Sequence, residues 1–167
     1  MSISVIAGDL LDANVTFLVH QCNCQTTYGK GLSKAIFDRY PDANTYSPSY
    51  RYLNEVGKMV PYTRMPGTVD FFSIGSKRYL VNLYGQNNPG KPTRSETRAD
   101  RLKWFSDGLQ AISEFIASEF PDSKVSIGFP NKIGCGLAGG NWPDYHRLLE
   151  NFAKQNPNVS VQLYSLE

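Results

Sequence analysis

Residues 19–43 read VHQCNCQTTYGKGLSKAIFDRYPDA, and their order of residue types sets the fold. The stretch opens on the end of an apolar, β-branched run, VTFLVH from Val15 to His20, which predicts a buried strand. Polar residues follow up to Gly29-Lys30-Gly31. Beyond Gly31 the apolar positions Leu32, Ala35, Ile36 and Tyr40 recur at helical spacing with Lys34, Asp38 and Arg39 between them, and Pro41 stops the pattern. Strand, glycine loop and helix therefore succeed one another. In an open α/β sheet this is where a ligand meets the carboxyl ends of the strands.

The same succession recurs near the end of the chain. Lys124 to Pro130 reads as a buried strand, Ile133 to Asn141 (IGCGLAGGN) as a second glycine loop, Trp142 to Gln155 as a helix, and Val159 to Leu166 as a closing strand. Between the two units, Leu102, Phe105, Leu109, Ile112, Phe115 and Ile116 predict a long amphipathic helix ended by Pro121. Ser2 to Ala7 reads as a further buried strand. Lys58 to Pro61, Thr68 to Ile74 and Arg78 to Tyr84 read as short strands, the last two joined as a hairpin through Gly75-Ser76-Lys77. Tyr50, Leu53 and Val56, at three-residue steps, predict a short helix over Pro48 to Gly57. GQNNPGKPTR, Gly85 to Arg94, is all turn formers and predicts a surface loop. Alternating strands and helices predict a three-layer α/β domain.

Composition limits the function classes. The 167 residues are 41% hydrophobic and 13% aromatic, enough for one core without staples, which excludes disorder and fibrous repeats. With 17 Lys+Arg against 15 Asp+Glu there is no strong nucleic-acid signal of the counterion-releasing kind, so partners are sought in a pocket. No stretch approaches the ~20 apolar residues of a membrane helix, and the start lacks a signal peptide's basic flank. Three cysteines, Cys22, Cys24 and Cys135, are too few for a disulfide framework. A cytoplasmic, soluble protein with free thiols is expected.

Both glycine loops place backbone N–H groups at a strand-to-helix turn, where they can bind phosphate oxygens without lysine. Gly134 to Gly139 fits G-x-G-x-x-G, but the strand about 20 residues on offers no acid before Glu167, which disfavours a nicotinamide site. GQNNPGK resembles a P-loop but has Pro92 where Ser or Thr should hold magnesium. His20 has two readings: a proton donor or acceptor at the strand end, or a core imidazole bonded to a neighbouring carbonyl. His20, Cys22 and Cys24 alternate onto one strand face, unlike the C-x₂₋₄-C turns of zinc sites, so no metal is expected. Asp9, after the Gly8 turn, reads by default as a cap.

Gly8-Asp9-Leu10, the Val19–Ala43 stretch, NLYGQ (Asn82 to Gln86) and IGCGLAGGNW (Ile133 to Trp142) together resemble the macrodomain family. The similarity is closest to its ADP-ribose 1″-phosphate phosphatase branch, in which a His-x-Cys-Asn strand end precedes a Gly-x-Gly loop. It implies a three-layer α/β/α macrodomain over 1–167 with a mixed central sheet and ADP-ribose in a cleft above the strand ends. By position, Asp9, beside Leu10, would bond the adenine amino group and Asn23 the distal ribose. Gly29, Lys30 and Gly31, with Gly134, Cys135, Gly136, Leu137, Ala138 and Gly139, would hold the diphosphate. The implied activity is hydrolysis of ADP-ribose 1″-phosphate without metal or cofactor, with His20 as proton donor or base and Asn23 orienting the ribose. The ester-cleaving branch carries an aspartate where Ala138 stands and a lysine that NLYGQ lacks, and Asn141 stands where relatives often have Asp. Two other readings follow from the resemblance: an ADP-ribosyl hydrolase of modified protein or nucleic acid, and a non-catalytic ADP-ribose reader.

Overall fold

Strands and helices alternate through residues 3–166, which the computed structural model describes. In chain order they are β1 (Ile3–Ala7), β2 (Phe17–Cys22), α1 (Gly31–Arg39), β3 (Arg51–Leu53), β4 (Met59–Pro61) and β5 (Val69–Gly75), then β6 (Arg78–Tyr84), α2 (Arg98–Glu119), β7 (Val125–Pro130), α3 (Trp142–Gln155) and β8 (Val159–Ser165). The expected strand start at Ser2 lies outside the described residues. Six strands form one sheet in the order β1-β8-β7-β2-β6-β5. The first five run parallel and β5 antiparallel, so the sheet is mixed as expected.

Pleating divides the apolar residues of the central strands between two cores. Phe17 and Val19 of β2, with Val81 and Leu83 of β6, pack under α2 and α3. Leu18 and Cys22 of β2, with Leu80 and Tyr84 of β6, pack against Ile36 and Phe37 of α1. Helices thus cover both sheet faces and the three-layer architecture stands. The boundaries of α2 follow its sequence signals: Thr97 Oγ1 accepts from the Asp100 amide and Asp100 Oδ2 from the Thr97 amide, and Pro121 stands just beyond the C-terminus.

Two expectations are corrected. β1 is the outer edge of the sheet rather than a buried strand, with Ser4 and Val5 exposed. Pro48 to Gly57 is not a helix: β3 and β4 pair antiparallel, and Asn54 Oδ1 accepts from the Val56 and Lys58 amides to close the turn between them. Leu53 and Val56, whose three-residue spacing suggested a buried helix face, are 63% and 80% exposed. Gly85 to Arg94 is the expected loop, without helix or strand and exposed from Asn88 to Lys91, and its backbone also closes around a buried ion pair described below. Among the described residues no helix is long and apolar enough to cross a membrane.

Candidate functional site

The site originates in an interrupted strand ladder. β2 and β7 pair only through Phe17/Ile127 and Leu18/Gly128, whereas β2 and β6 stay paired as far as Cys22/Tyr84. The sheet therefore opens between β2 and β7 toward their carboxyl ends. The chain also changes direction there, since β6 lies on one side of β2 and β7 on the other, which is the topological switch point where α/β sheets bind ligands. A cavity of about 410 Å³ occupies this place. Its walls come from the loop after β2, from Gln86 to Gly90 after β6, and from Leu137 and Ala138 after β7.

Of the residues singled out in the sequence, Asn23, Lys30, Leu137 and Ala138 line this cavity. Asn23 also shapes the wall. Its Oδ1 accepts from the Gln25 and Thr26 amides and its own amide donates to the Tyr46 hydroxyl, leaving the Nδ2 group as its donor toward a ligand. Gly29 brings the loop against α1: a Cβ there would stand 2.8 Å from the Lys34 backbone nitrogen. Gly31 begins the helix itself. In the second loop Gly134 adopts φ +80° with the Tyr145 ring packed where a side chain would go. The Cys135, Gly139 and Gly140 amides close this loop on its own carbonyls at 3.0 Å each, and those of Gly136, Leu137 and Ala138 take no part in that closure. Of these three, Leu137 and Ala138 line the cavity. Cys135 itself donates to the Ile133 carbonyl, and burial pushes its thiol up from the usual range.

Asp9 and Leu10 stand apart from the cavity. Asp9 Oδ1 accepts from the Leu11 amide and caps a short 3-10 turn over Leu10–Asp12, while Leu10 is buried in the α1-side core. Both follow β1 at the carboxyl edge of the sheet, beyond β8 and β7.

His20 departs most from its reading as a direct proton donor. The register pairs it with Asn82 on the α1 side of the sheet, where it is 1% exposed and meets the Phe37 ring edge-on. Burial lowers its pKa to about 4, against the opposing bond to Asn82, so the imidazole is neutral at physiological pH. The network fixes its tautomer. Asn82 Nδ2 donates to the Ala43 carbonyl, which can only accept, so Asn82 Oδ1 faces His20 Nε2 at 2.6 Å and Nε2 carries the proton. His20 Nδ1 is then an acceptor, 3.3 Å from Ser33 Oγ. Ser33 lines the cavity and His20 does not.

Several residues of the site carry no local sequence signal. Gln21 Nε2 donates to Gln86 Oε1, and Gln86 Nε2 donates to the Asn88 and Gly90 carbonyls, so two amides brace one wall. Arg64 stacks on Tyr46 at 4.8 Å and donates to the Thr26 carbonyl. Arg101, on α2, is 2% exposed and pairs with Glu96 at 2.8 Å. Its other nitrogens donate to the carbonyls of Asn88, Gly90 and Ala138. Glu96 in turn accepts from the Asn87 and Asn88 amides. One buried ion pair thereby ties the loop after β6 to the loop after β7, both of which line the cavity.

Comparison with known proteins places these features among relatives, although no family model matches the chain. It is 50% identical to the ADP-ribose 1″-phosphate phosphatase of Neosartorya fischeri, over 89% of each chain. It is 27% identical to the DNA ADP-ribosyl glycohydrolase of Mycobacterium tuberculosis, over 95% of this chain and 40% of that one, and so spans about 40% of the length of that curated relative. In three dimensions it is similar to the macrodomain of Mycobacterium tuberculosis DarG, with a TM-score of 0.72 and 22% identity, covering 98% of this chain and 97% of that one.

Proposed function

The chain belongs to the macrodomain family, and on that premise we propose that it is an ADP-ribose-binding hydrolase that removes the phosphate of ADP-ribose 1″-phosphate. The observation that carries this reading is that both glycine loops reach one cavity, the first through Lys30 and the second through Leu137 and Ala138. The amides of Gly136, Leu137 and Ala138 would take the diphosphate from one side, and the Gly29–Gly31 turn with the first amides of α1 from the other. The Asn23 Nδ2 group would hold the distal ribose, and Asp9 would receive the adenine end. Water attacks phosphorus, the bond from phosphorus to the C1″ oxygen breaks, and ADP-ribose and inorganic phosphate leave. Fixed dipoles and positioning then supply most of the acceleration.

The test is turnover of ADP-ribose 1″-phosphate in the presence of a chelator, with phosphate and ADP-ribose measured separately. One phosphate per ADP-ribose is expected. Tight ADP-ribose binding without phosphate release would instead favour a reader of ADP-ribose, a reading favoured by the lack of any carboxylate or imidazole among the described cavity-lining residues. Release of ADP-ribose from a modified oligonucleotide would place the chain with its glycohydrolase relatives.

Lys30 is the one formally charged side chain among the described cavity-lining residues, and its ammonium lies 5.7 Å over the Tyr28 ring. Lys30→Gln should raise KM for the phosphate ester by roughly tenfold at low salt, about 1.4 kcal/mol, and less as salt screens the contact. Steady-state kinetics at two ionic strengths checks this; an unchanged KM at both would remove Lys30 from substrate binding.

A further inference from the structure

The cavity lining contains no carboxylate or imidazole among the described residues, yet hydrolysis needs somewhere for the attacking water's proton to go. One side chain connects the lining to a buried proton acceptor. Ser33 lies in the first turn of α1, on the cavity wall, and its Oγ is 3.3 Å from His20 Nδ1. The Asn82 and Ala43 contacts put the imidazole proton on Nε2, so the Ser33 hydroxyl is the donor in that bond and its lone pairs are free for the cavity. Serine, imidazole and an orienting amide are thus arranged in series, the geometry that activates hydroxyls in unrelated hydrolases.

We propose that Ser33 is a catalytic residue, relaying a proton between the cavity and His20, with Asn82 as the positioning residue that holds the imidazole in the receptive tautomer. This rests on the phosphatase reading above. As the water oxygen bonds to phosphorus, Ser33 Oγ accepts the water's proton while passing its own to His20 Nδ1. The bond from phosphorus to the C1″ oxygen breaks, and the proton returns through Ser33 to that leaving oxygen. Water and phosphate ester become ADP-ribose and phosphate with no other reactant. The groups facing His20 are Cys22 on β2, Ser33 and Phe37 on α1, and Asn82 on β6, and none is charged. The Cys22 thiol, buried beside the ring, is held far above its usual range.

The experiment compares wild type, Ser33→Ala and Ser33→Thr in ADP-ribose 1″-phosphate turnover, in calorimetric ADP-ribose binding, and in mass spectra of protein quenched during turnover. Ser33→Ala should lower kcat about a hundredfold while KM and the ADP-ribose Kd stay within about threefold, and Ser33→Thr, which keeps the hydroxyl, should recover most of the loss. Between pH 8 and 5 wild-type kcat should show no inflection beyond the one set by the substrate's own phosphate, which takes up a proton at about pH 6, because the buried imidazole stays an acceptor over that range. Three results overturn the proposal alone: kcat of Ser33→Ala within threefold of wild type, a loss confined to KM and Kd, or a phosphoryl adduct on Ser33, which would make it the nucleophile. Wild type that releases no phosphate overturns the phosphatase reading and this relay together, before any variant is compared.

Discussion

Arg101→Met should destabilise the fold by about 3–5 kcal/mol and lower the melting temperature by roughly 10 °C or more. The arginine side chain is 2% exposed and that of its partner Glu96 4%, so the 2.8 Å pair is shielded from water and counterions. Methionine fills much of the volume but leaves a buried carboxylate without its cation, removes the guanidinium bonds to the Asn88, Gly90 and Ala138 carbonyls, and leaves the first two only their bonds from Gln86 Nε2. Chemical denaturation at neutral pH measures the loss. Adding Glu96→Gln should return a substantial part of it, because the main cost is the stranded charge rather than the missing contact. Arg101→Lys should fall between, since one ammonium cannot reproduce the planar set of guanidinium bonds. A loss below about 1 kcal/mol would mean that the pair behaves like one on the surface. ADP-ribose affinity should drop alongside stability, because Gly90 and Ala138, which the guanidinium joins, both line the cavity.

That pair also marks where the sequence stops being informative. Elements with a local cause were legible: α1 from its apolar spacing and Pro41, α2 from its periodicity and Pro121, and β2 from an unbroken apolar run that only a strand covered on both faces would carry. The two glycine loops were legible for the same reason, since each sits between a strand and a helix already fixed. Arg101, by contrast, reads locally as one more charge near the start of an amphipathic helix. Its burial depends on carbonyls 11, 13 and 37 residues away, which no local pattern encodes. Tyr50, Leu53 and Val56 misled because three-residue spacing suits a helix, while the deciding contact was the Asn54 side chain closing a turn. For His20, alternation gave the face of the strand but not the depth. Leu18, His20 and Cys22 share the side covered by α1, and the helix lies over the imidazole.

That depth makes stability depend on pH in a way a solvent-facing histidine would not. In the unfolded chain the imidazole takes up a proton below about pH 6.5, whereas in the fold it does so only near pH 4. Between these values the unfolded state binds more protons, so stability is full above pH 6.5 and declines as pH falls through this window. The gap corresponds to about 3 kcal/mol once pH reaches 4, and about 2 kcal/mol is already lost by pH 5. Carboxylates titrate at the lower end as well, so the expected signature is a difference between two proteins. His20→Gln, whose side-chain amide can still donate toward Asn82 Oδ1, removes the titrating group and should flatten the decline between pH 6.5 and 5. Whatever constant cost the substitution carries at pH 7 does not enter, because only the slope is read. Urea denaturation of both proteins at pH 7, 6 and 5 and constant ionic strength measures it. Parallel slopes would show that the His20 imidazole takes up its proton in the folded protein as readily as in the unfolded chain, against the burial that the packing of Phe37 and Asn82 around it requires.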